Sequence, residues 1–377
     1  MTNYHNLLNK FRLDLHKIPE LGLELPMTKS YLNKLLVQWG YTPESVATSG
    51  LIAFKKGSIG SKTYAFRADM DALSIEEKGD ANFISQNKGC MHACGHDGHM
   101  ATLLAFAKYI SESKDLKENI LFIFQPGEES PGGAKLIVES GLFEKYNVSS
   151  IFGLHLFPDI EEGIIAIKEG PQMAQCGEFN VYINGKSGHG AMPHSGNDAI
   201  LASAKLLTSY PEIISKKLSP LQPAVIHVGT ISGGSAQNAI ADFVELHGTV
   251  RTFSKDVFTQ IQKEISNIHK SVELTSQVSI KWDLDPMYPP VLNDSNLANM
   301  LKTILPSNKW IDSKARMTAE DFSFYQEQIP GLFFLVGTKN ESLGFISPLH
   351  NPNFNFSSNA LISGFEAYVA IANHLLF

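Results

Sequence analysis

Apolar residues recur along this chain with two periods. Leu7, Leu8, Phe11 and Leu15 fall on one helical face, as do Tyr31, Leu32, Leu35, Leu36 and Trp39. The spacing predicts a helix over residues 3–16, ended by the restriction Pro19 places on the residue before it, and a second helix stopped by Gly40. Short apolar runs bounded by turn residues follow at 51–54, 63–66, 120–124, 151–156 and 332–336. Those reading ILFIF and LFFLV are continuous rather than alternating, as in strands covered on both faces. MATLLAFAKYI (100–110) reads as a buried helix, and further helices are expected over 132–139, 298–305 and 359–376.

The chain changes character near residues 171–175. From there it reads as strand (179–183), glycine-rich turn (184–190), helix (199–207), strand (224–231), strand (243–252), helix (257–269) and strand (272–282). That order, β-α-β-β-α-β, is the split pattern of a ferredoxin-like α+β domain. At 377 residues the chain exceeds the roughly 250–300 at which one core stops growing, so two domains are expected. The elements after 289 are too few to form a core alone and should complete the first sheet. The predicted organisation is a discontinuous domain over 1–174 and 289–377 with 175–288 inserted, and hinges at 171–175 and 285–290.

Composition narrows the function classes. A net charge of -7 with no basic stripe speaks against nucleic acid and for a small-molecule partner. No apolar run approaches the length of about 20 that a membrane span needs, so no membrane partner is expected. The helical N-terminal pattern is unlike a secretory signal, which gives a cytoplasmic expectation. Three cysteines, an odd number in a long chain, argue for reduced thiols rather than a disulfide framework.

Candidate chemistry gathers where the apolar runs end. Residues 91–99 read MHACGHDGH. Cys94 and His96 flank a glycine whose freedom in φ lets both side chains turn toward one point. Thiolate and imidazole suit a borderline-soft ion, but two donors do not close a site. A buried cysteine with two surface histidines is the alternative for that stretch alone. The 63–66 run leads into RADMDAL, which brings Asp69 and Asp71 to a strand end, where sites form in α/β sheets. The 120–124 run leads into QPGEE. Two adjacent carboxylates, Glu128 and Glu129, are costly there without a counter-charge. A cation removes that cost, and one Glu can ligate while its neighbour acts as a base. His155 lies in the 151–156 strand, His350 in a proline-stopped loop, and residues 317–322 add an acidic pair.

Taken in order, LHKIPELG, RADMDAL, HACGHDGH, FQPGEE, GLH, GKSGHGAMPH, GTISGGSAQN, GTVRT, AEDF and LHNP resemble the aminoacylase and carboxypeptidase superfamily of co-catalytic metal amidohydrolases. The resemblance is to the branch holding N-acyl-amino-acid amidohydrolases and hippurate hydrolases, and the wording looks most like the N-acetyldiaminopimelate deacetylases. It implies an α/β, zinc-peptidase-like catalytic domain with a mixed central sheet flanked by helices, plus a ferredoxin-like insert serving as lid and dimerisation domain. The family's metal ligands match Cys94, His96, Glu129, His155 and His350. Its general base matches Glu128, and the acid that orients a metal-bound His matches Asp71. His189 matches the His that reaches the partner subunit's site in a homodimer, and Asn238 with Arg251 match the groups that hold the substrate carboxylate. One departure is Gly127, where many relatives have Ala.

Five S, N and O ligands exceed what one tetrahedral ion needs, which favours two divalent ions (Zn, Mn, Co or Ni) sharing the Cys94 thiolate. The implied reaction is hydrolysis of an N-acyl, in first place N-acetyl, amino acid to a carboxylate and a free amino acid. Deacetylation of N-acetyl-diaminopimelate in lysine and diaminopimelate biosynthesis is the setting the wording suggests. A metallo-aminopeptidase or dipeptidase acting on free peptides would share this chemistry. A non-catalytic metal- or amino-acid-binding protein is the reading from another class, and it has no use for Glu128.

Overall fold

The computed structural model of the chain describes residues 2–79 and 84–377. The chain divides into two compact units, one built from Met1–Gln172, Leu292–Lys314 and Asp321–Phe377, the other from Met173–Val291 and Ala315–Glu320. Among the described residues no helix is long and apolar enough to cross a membrane.

The first unit is the mixed α/β layer the sequence predicts. Its eight-stranded sheet runs, edge to edge, Glu44–Val46, Gly50–Lys55, Asn119–Gln125, Thr63–Asp69, Val148–Glu161, Gly331–Lys339, Ile165–Ile167 and Trp310–Asp312. The four central strands are parallel to one another, whereas Gly50–Lys55 and Ile165–Ile167 join antiparallel. Helices Thr2–His16, His96–Glu112 and Asn359–Leu375 pack together over it. Phe66 lies at the centre, its ring 4.8 Å from Phe106, 5.1 Å from Phe152 and 5.1 Å from Tyr368. Each such buried aromatic contributes about 1.5–3 kcal/mol of transfer free energy, so the parallel strand ends rest on a rigid base.

Helix His96–Glu112 starts four residues earlier than the apolar pattern suggested. Gly95 takes φ +86°, a left-handed turn that delivers the chain straight into the helix, and Asp97 in the first turn suits the helix dipole. His96 and His99 therefore lie three apart on one helical turn.

The second unit carries a four-stranded antiparallel sheet in the order Ala224–Gly233, Phe243–Thr252, Gln175–Asn184, Ser279–Tyr288. Helices Ala199–Glu212 and Lys255–Ser276 cover one face over Phe179, Val181, Ile183, Leu206, Leu246 and Ile261. This is the ferredoxin-like arrangement. One expectation fails: residues 272–276 are helix, not strand. Ile261, Ile265, His269 and Val272 continue one buried stripe at helical spacing, and Gln277, at φ 54°, ends it.

Candidate metal centre

All the donors the sequence marked in the first unit converge. Strand Thr63–Asp69 delivers Asp69 and Asp71, strand Asn119–Gln125 delivers Glu128 and Glu129, strand Val148–Glu161 carries His155, and Gly95 turns Cys94 and His96 into the same space. Donor atoms of Cys94, His96 and His155 lie within 4.8 Å of one another, as do those of Cys94, Glu129 and His350, and of His96, Glu128 and Glu129. Cys94 Sγ is 3.4 Å from His155 Nε2, and His350 Nε2 is 3.2 Å from Glu129 Oε1. Cys94, His96 and Glu129 each belong to two of these groups, so the three groups form one continuous cluster.

Main-chain bonds fix the loops. The His350 N–H donates to the Ala93 carbonyl at 2.9 Å, which ties the C-terminal loop to the Cys94 segment. The buried Asp71 carboxylate accepts the N–H groups of Glu128 at 2.9 Å and Glu129 at 3.0 Å. Gly127 takes φ +69°, a conformation glycine adopts more readily than residues with a side chain, and a Cβ there would press on Leu23 Cδ2 at 2.7 Å. The LHKIPELG segment braces the opposite side, the Ala72 N–H donating to the Glu20 carbonyl at 2.8 Å.

The imidazoles are held in the tautomers a cation requires. His96 Nδ1–H donates to the Asp71 main-chain carbonyl at 2.8 Å, and its Nε2 is buried without a hydrogen-bond partner. His155 Nδ1–H donates to the Leu156 carbonyl at 2.6 Å, leaving the Nε2 lone pair toward Cys94. A carbonyl only accepts, so on both rings Nδ1 carries a proton, and the neutral form of each ring turns its Nε2 lone pair toward the donor cluster. The surrounding charge is negative. Burial raises the Cys94 thiol well above its ordinary range, and Glu129, Glu128 and Asp69 raise it further. Burial opposes protonation of His96, yet Asp69, Asp71 and Glu129 push it up to about 10, so at neutral pH its Nε2 takes a second proton that a bound cation would displace. A thiol, imidazole nitrogens and carboxylates packed together fit one or more soft-to-borderline divalent cations.

Sequence reasoning expected the Asp71 carboxylate to orient a ligating His. The Asp71 main-chain carbonyl accepts His96 Nδ1–H at 2.8 Å, its carboxylate Oδ1 stands 3.7 Å from the same nitrogen, and that carboxylate also holds the Glu pair. Sequence reasoning missed Asp69, His99 and Arg67 as a connected group. His99 Nδ1–H donates to Asp69 Oδ1 at 2.6 Å, and Arg67 meets Asp69 at 2.9 Å, Gln125 at 2.8 Å and Asp321 at 2.8 Å, all buried. The signal was the i, i+3 spacing of HDGH beside RAD, legible only once the helix is known to begin at His96.

The remaining predicted residues belong to the second unit. Strand pairing sets Ala239 opposite His189, and the Gly190 N–H donates to the Asn238 carbonyl at 2.7 Å, so the His189 turn and Asn238 lie side by side. Arg251 lies on strand Phe243–Thr252, opposite Cys176. That turn leaves from the Asn184–Phe243 end of the sheet, eight residues from Arg251, or about 26 Å at the strand rise.

The chain is 37% identical over 355 residues to the N-acetyldiaminopimelate deacetylase of Bacillus subtilis, covering 93% of each. It is 36% identical over 371 residues to the N-acetyl-L-cysteine deacetylase of the same organism, covering 97% of this chain and 87% of that one. Among solved structures, a dinuclear metal binding peptidase of the M20 family from B. subtilis superposes with TM-score 0.86 at 30% identity, covering 99% of each chain. The model of peptidase family M20/M25/M40 matches residues 65–374. On that match, on these relatives along nearly the whole length and on the converged donors, the chain belongs to peptidase family M20/M25/M40 and is a hydrolase of amide bonds.

Proposed function

We propose that the protein hydrolyses N-acyl amino acids, N-acetyl derivatives first, with two divalent ions held by Cys94, His96, Glu129, His155 and His350 and with Glu128 as the proton carrier. One observation carries this reading: two imidazole Nε2 atoms and a thiol are gathered against a pair of adjacent glutamates of which only one is needed as a ligand. The deacetylase relatives support the choice of acyl group. Bound there, the ions would act as Lewis acids toward the scissile carbonyl and lower the pKa of a water. Glu128, 6% exposed and with Oε2 4.0 Å from His96 Nε2, takes a proton from the attacking water and passes it to the departing amine nitrogen. Its main chain is clamped by Asp71, so the carboxylate keeps its aim.

The second unit supplies the polar grip. The reading includes a homodimer in which one substrate meets His189 of one subunit and Arg251 of the other: the chain joins the four-stranded sheet from the His189–Asn238 segment at Phe243, eight residues along the strand from Arg251. His189 Nδ1 accepts the Ala191 N–H at 3.0 Å, which leaves Nε2–H to donate to a developing oxyanion. Arg251 offers a planar fork to the amino acid's carboxylate. The edge strand Ala224–Gly233 presents unpaired main-chain groups beside Ile200, Leu201 and Ile231, each at least half exposed, a surface suited to two-fold pairing.

The test is a product-release assay over N-acetyl-diaminopimelate, N-acetylcysteine, other N-acetyl amino acids, hippurate and unblocked dipeptides, with Zn, Mn, Co or Ni added to metal-free protein. Turnover of acylated amino acids is expected. Cleavage of unblocked dipeptides alone would replace this reading with a dipeptidase.

A further inference from the structure

His99 is fully enclosed one helical turn beyond His96, and a nitrogen of its ring lies within 4.8 Å of donor atoms of His96 and Asp69. Proximity alone would make it a ligand. Its hydrogen bonds say otherwise. Nδ1–H donates to Asp69 Oδ1 at 2.6 Å, and Nε2 accepts the Leu156 N–H at 2.9 Å. An amide N–H only donates, so the Nε2 lone pair is spent on the main chain and the tautomer is fixed from both sides. Leu156 is also the residue whose carbonyl receives His155 Nδ1–H. The two imidazoles, 4.6 Å apart, thus grip the N–H and the C=O of one residue. Gly98 makes the approach possible: a Cβ there would meet Leu156 Cδ1 at 2.6 Å and Phe356 Cζ at 2.8 Å.

We propose that His99 is a positioning residue of the metal centre: acting through the Leu156 main chain, it holds the His155 ring so that Nε2 faces Cys94 Sγ. This rests on the two-ion reading above and adds a residue that touches neither ion. Without an acceptor at that place, the Leu156 N–H becomes a buried donor with no partner, the strand shifts to find one, and the carbonyl that anchors His155 moves with it. Asp69 matters because it fixes which His99 nitrogen carries the proton. A His99 turned into the other tautomer would set two donors against each other at Leu156.

The test compares His99→Gln, whose side-chain oxygen can still accept from Leu156 N–H, with His99→Asn, which can still donate to Asp69 but falls short of Leu156. Binding of Co(II) to metal-free protein is measured by competition with a chelator and by its visible absorption. His99→Asn should bind the same number of ions about 10- to 100-fold more weakly. His99→Gln should stay close to wild type. Equal affinity in wild type and both variants overturns the proposal, as does permanent loss of an ion in both, which would make His99 a ligand. If the Asn variant does not fold, wild-type protein labelled with 15N in its histidines carries the test. On Zn addition the Nε2 signals of His96 and His155 should move while that of His99 stays, and a moving His99 signal overturns the proposal. Wild-type protein that binds no ion would remove the two-ion reading as well.

Discussion

Asp71→Asn changes one atom type and probes the turn that carries Glu128 and Glu129. In the native chain one carboxylate accepts two main-chain N–H groups, from Glu128 at 2.9 Å and Glu129 at 3.0 Å. An amide keeps one acceptor oxygen and sets an NH2 group against the other N–H. The lost bond is of the charge-assisted kind, about 1.5–3 kcal/mol, and an N–H left buried without an acceptor costs about 1–3 kcal/mol more. Relaxation of the exposed side of Glu129 recovers part of this, so a net loss of about 3 kcal/mol is expected. For a unit of this size that corresponds to a fall of about 6–12 °C in the unfolding midpoint, read on metal-free protein so that ligand stabilisation does not mask it. Metal affinity should fall about 10- to 100-fold, since Glu129 moves with its main chain. His96, in contrast, should keep its tautomer, because it is held by the Asp71 main-chain oxygen, which the substitution leaves in place. A midpoint within about 1 °C of wild type with unchanged affinity would refute the turn-holding role. A change of tautomer at His96 in 15N spectra would show that the carboxylate, not the carbonyl, orients that ring.

Three further outcomes are expected. Glu128→Gln should retain both ions by metal analysis while kcat falls about 100- to 10,000-fold, and loss of an ion would make Glu128 a ligand instead. Mixing His189→Ala with Glu128→Gln protein should restore activity in the heterodimers, in which one site has both residues intact; proven subunit exchange without activity would assign His189 elsewhere. His16 is buried, which opposes its charge, but hydrogen bonds to Asp97 at 2.8 Å and Glu77 at 3.1 Å outweigh this and raise it to about 9 from 6.5. Its stabilisation, about 3 kcal/mol, is therefore full below pH 6.5 and lost as pH rises through 9. His16→Gln should flatten the stability profile over that window, and an unchanged profile would mean that other groups set it.

Much of this architecture was legible because it is written in local patterns. Continuous apolar runs marked the parallel strands, and the acidic or imidazole residues just past their ends marked the donor cluster, since a strand end is where side chains leave the sheet and can meet. Other features depended on tertiary neighbours. The start of helix His96–Glu112 turned on the left-handed Gly95, and Val272 read as strand because its buried stripe begins fifteen residues earlier. Gly127 looked like a neutral variation until its positive φ was seen. The pairing of His189 with Ala239, fifty residues apart, follows from strand register, which no single stretch of sequence contains.

The place of strand Gly331–Lys339 governs how the molecule can be made. It lies inside the sheet, between Val148–Glu161 and Ile165–Ile167, although it is the last strand to be translated. While the ribosome adds the residues in between, at about 5–20 per second, the neighbouring strand waits on the order of ten seconds or more with one edge unpaired. Such an edge invites pairing with other chains, so the nascent protein is a natural client for chaperones. The second unit, nearly contiguous in sequence, faces no such delay and can fold during synthesis. His350 emerges later still, so the donor cluster is completed only as translation ends, and a chain cut short before Gly331 would have neither a closed sheet nor a full set of donors.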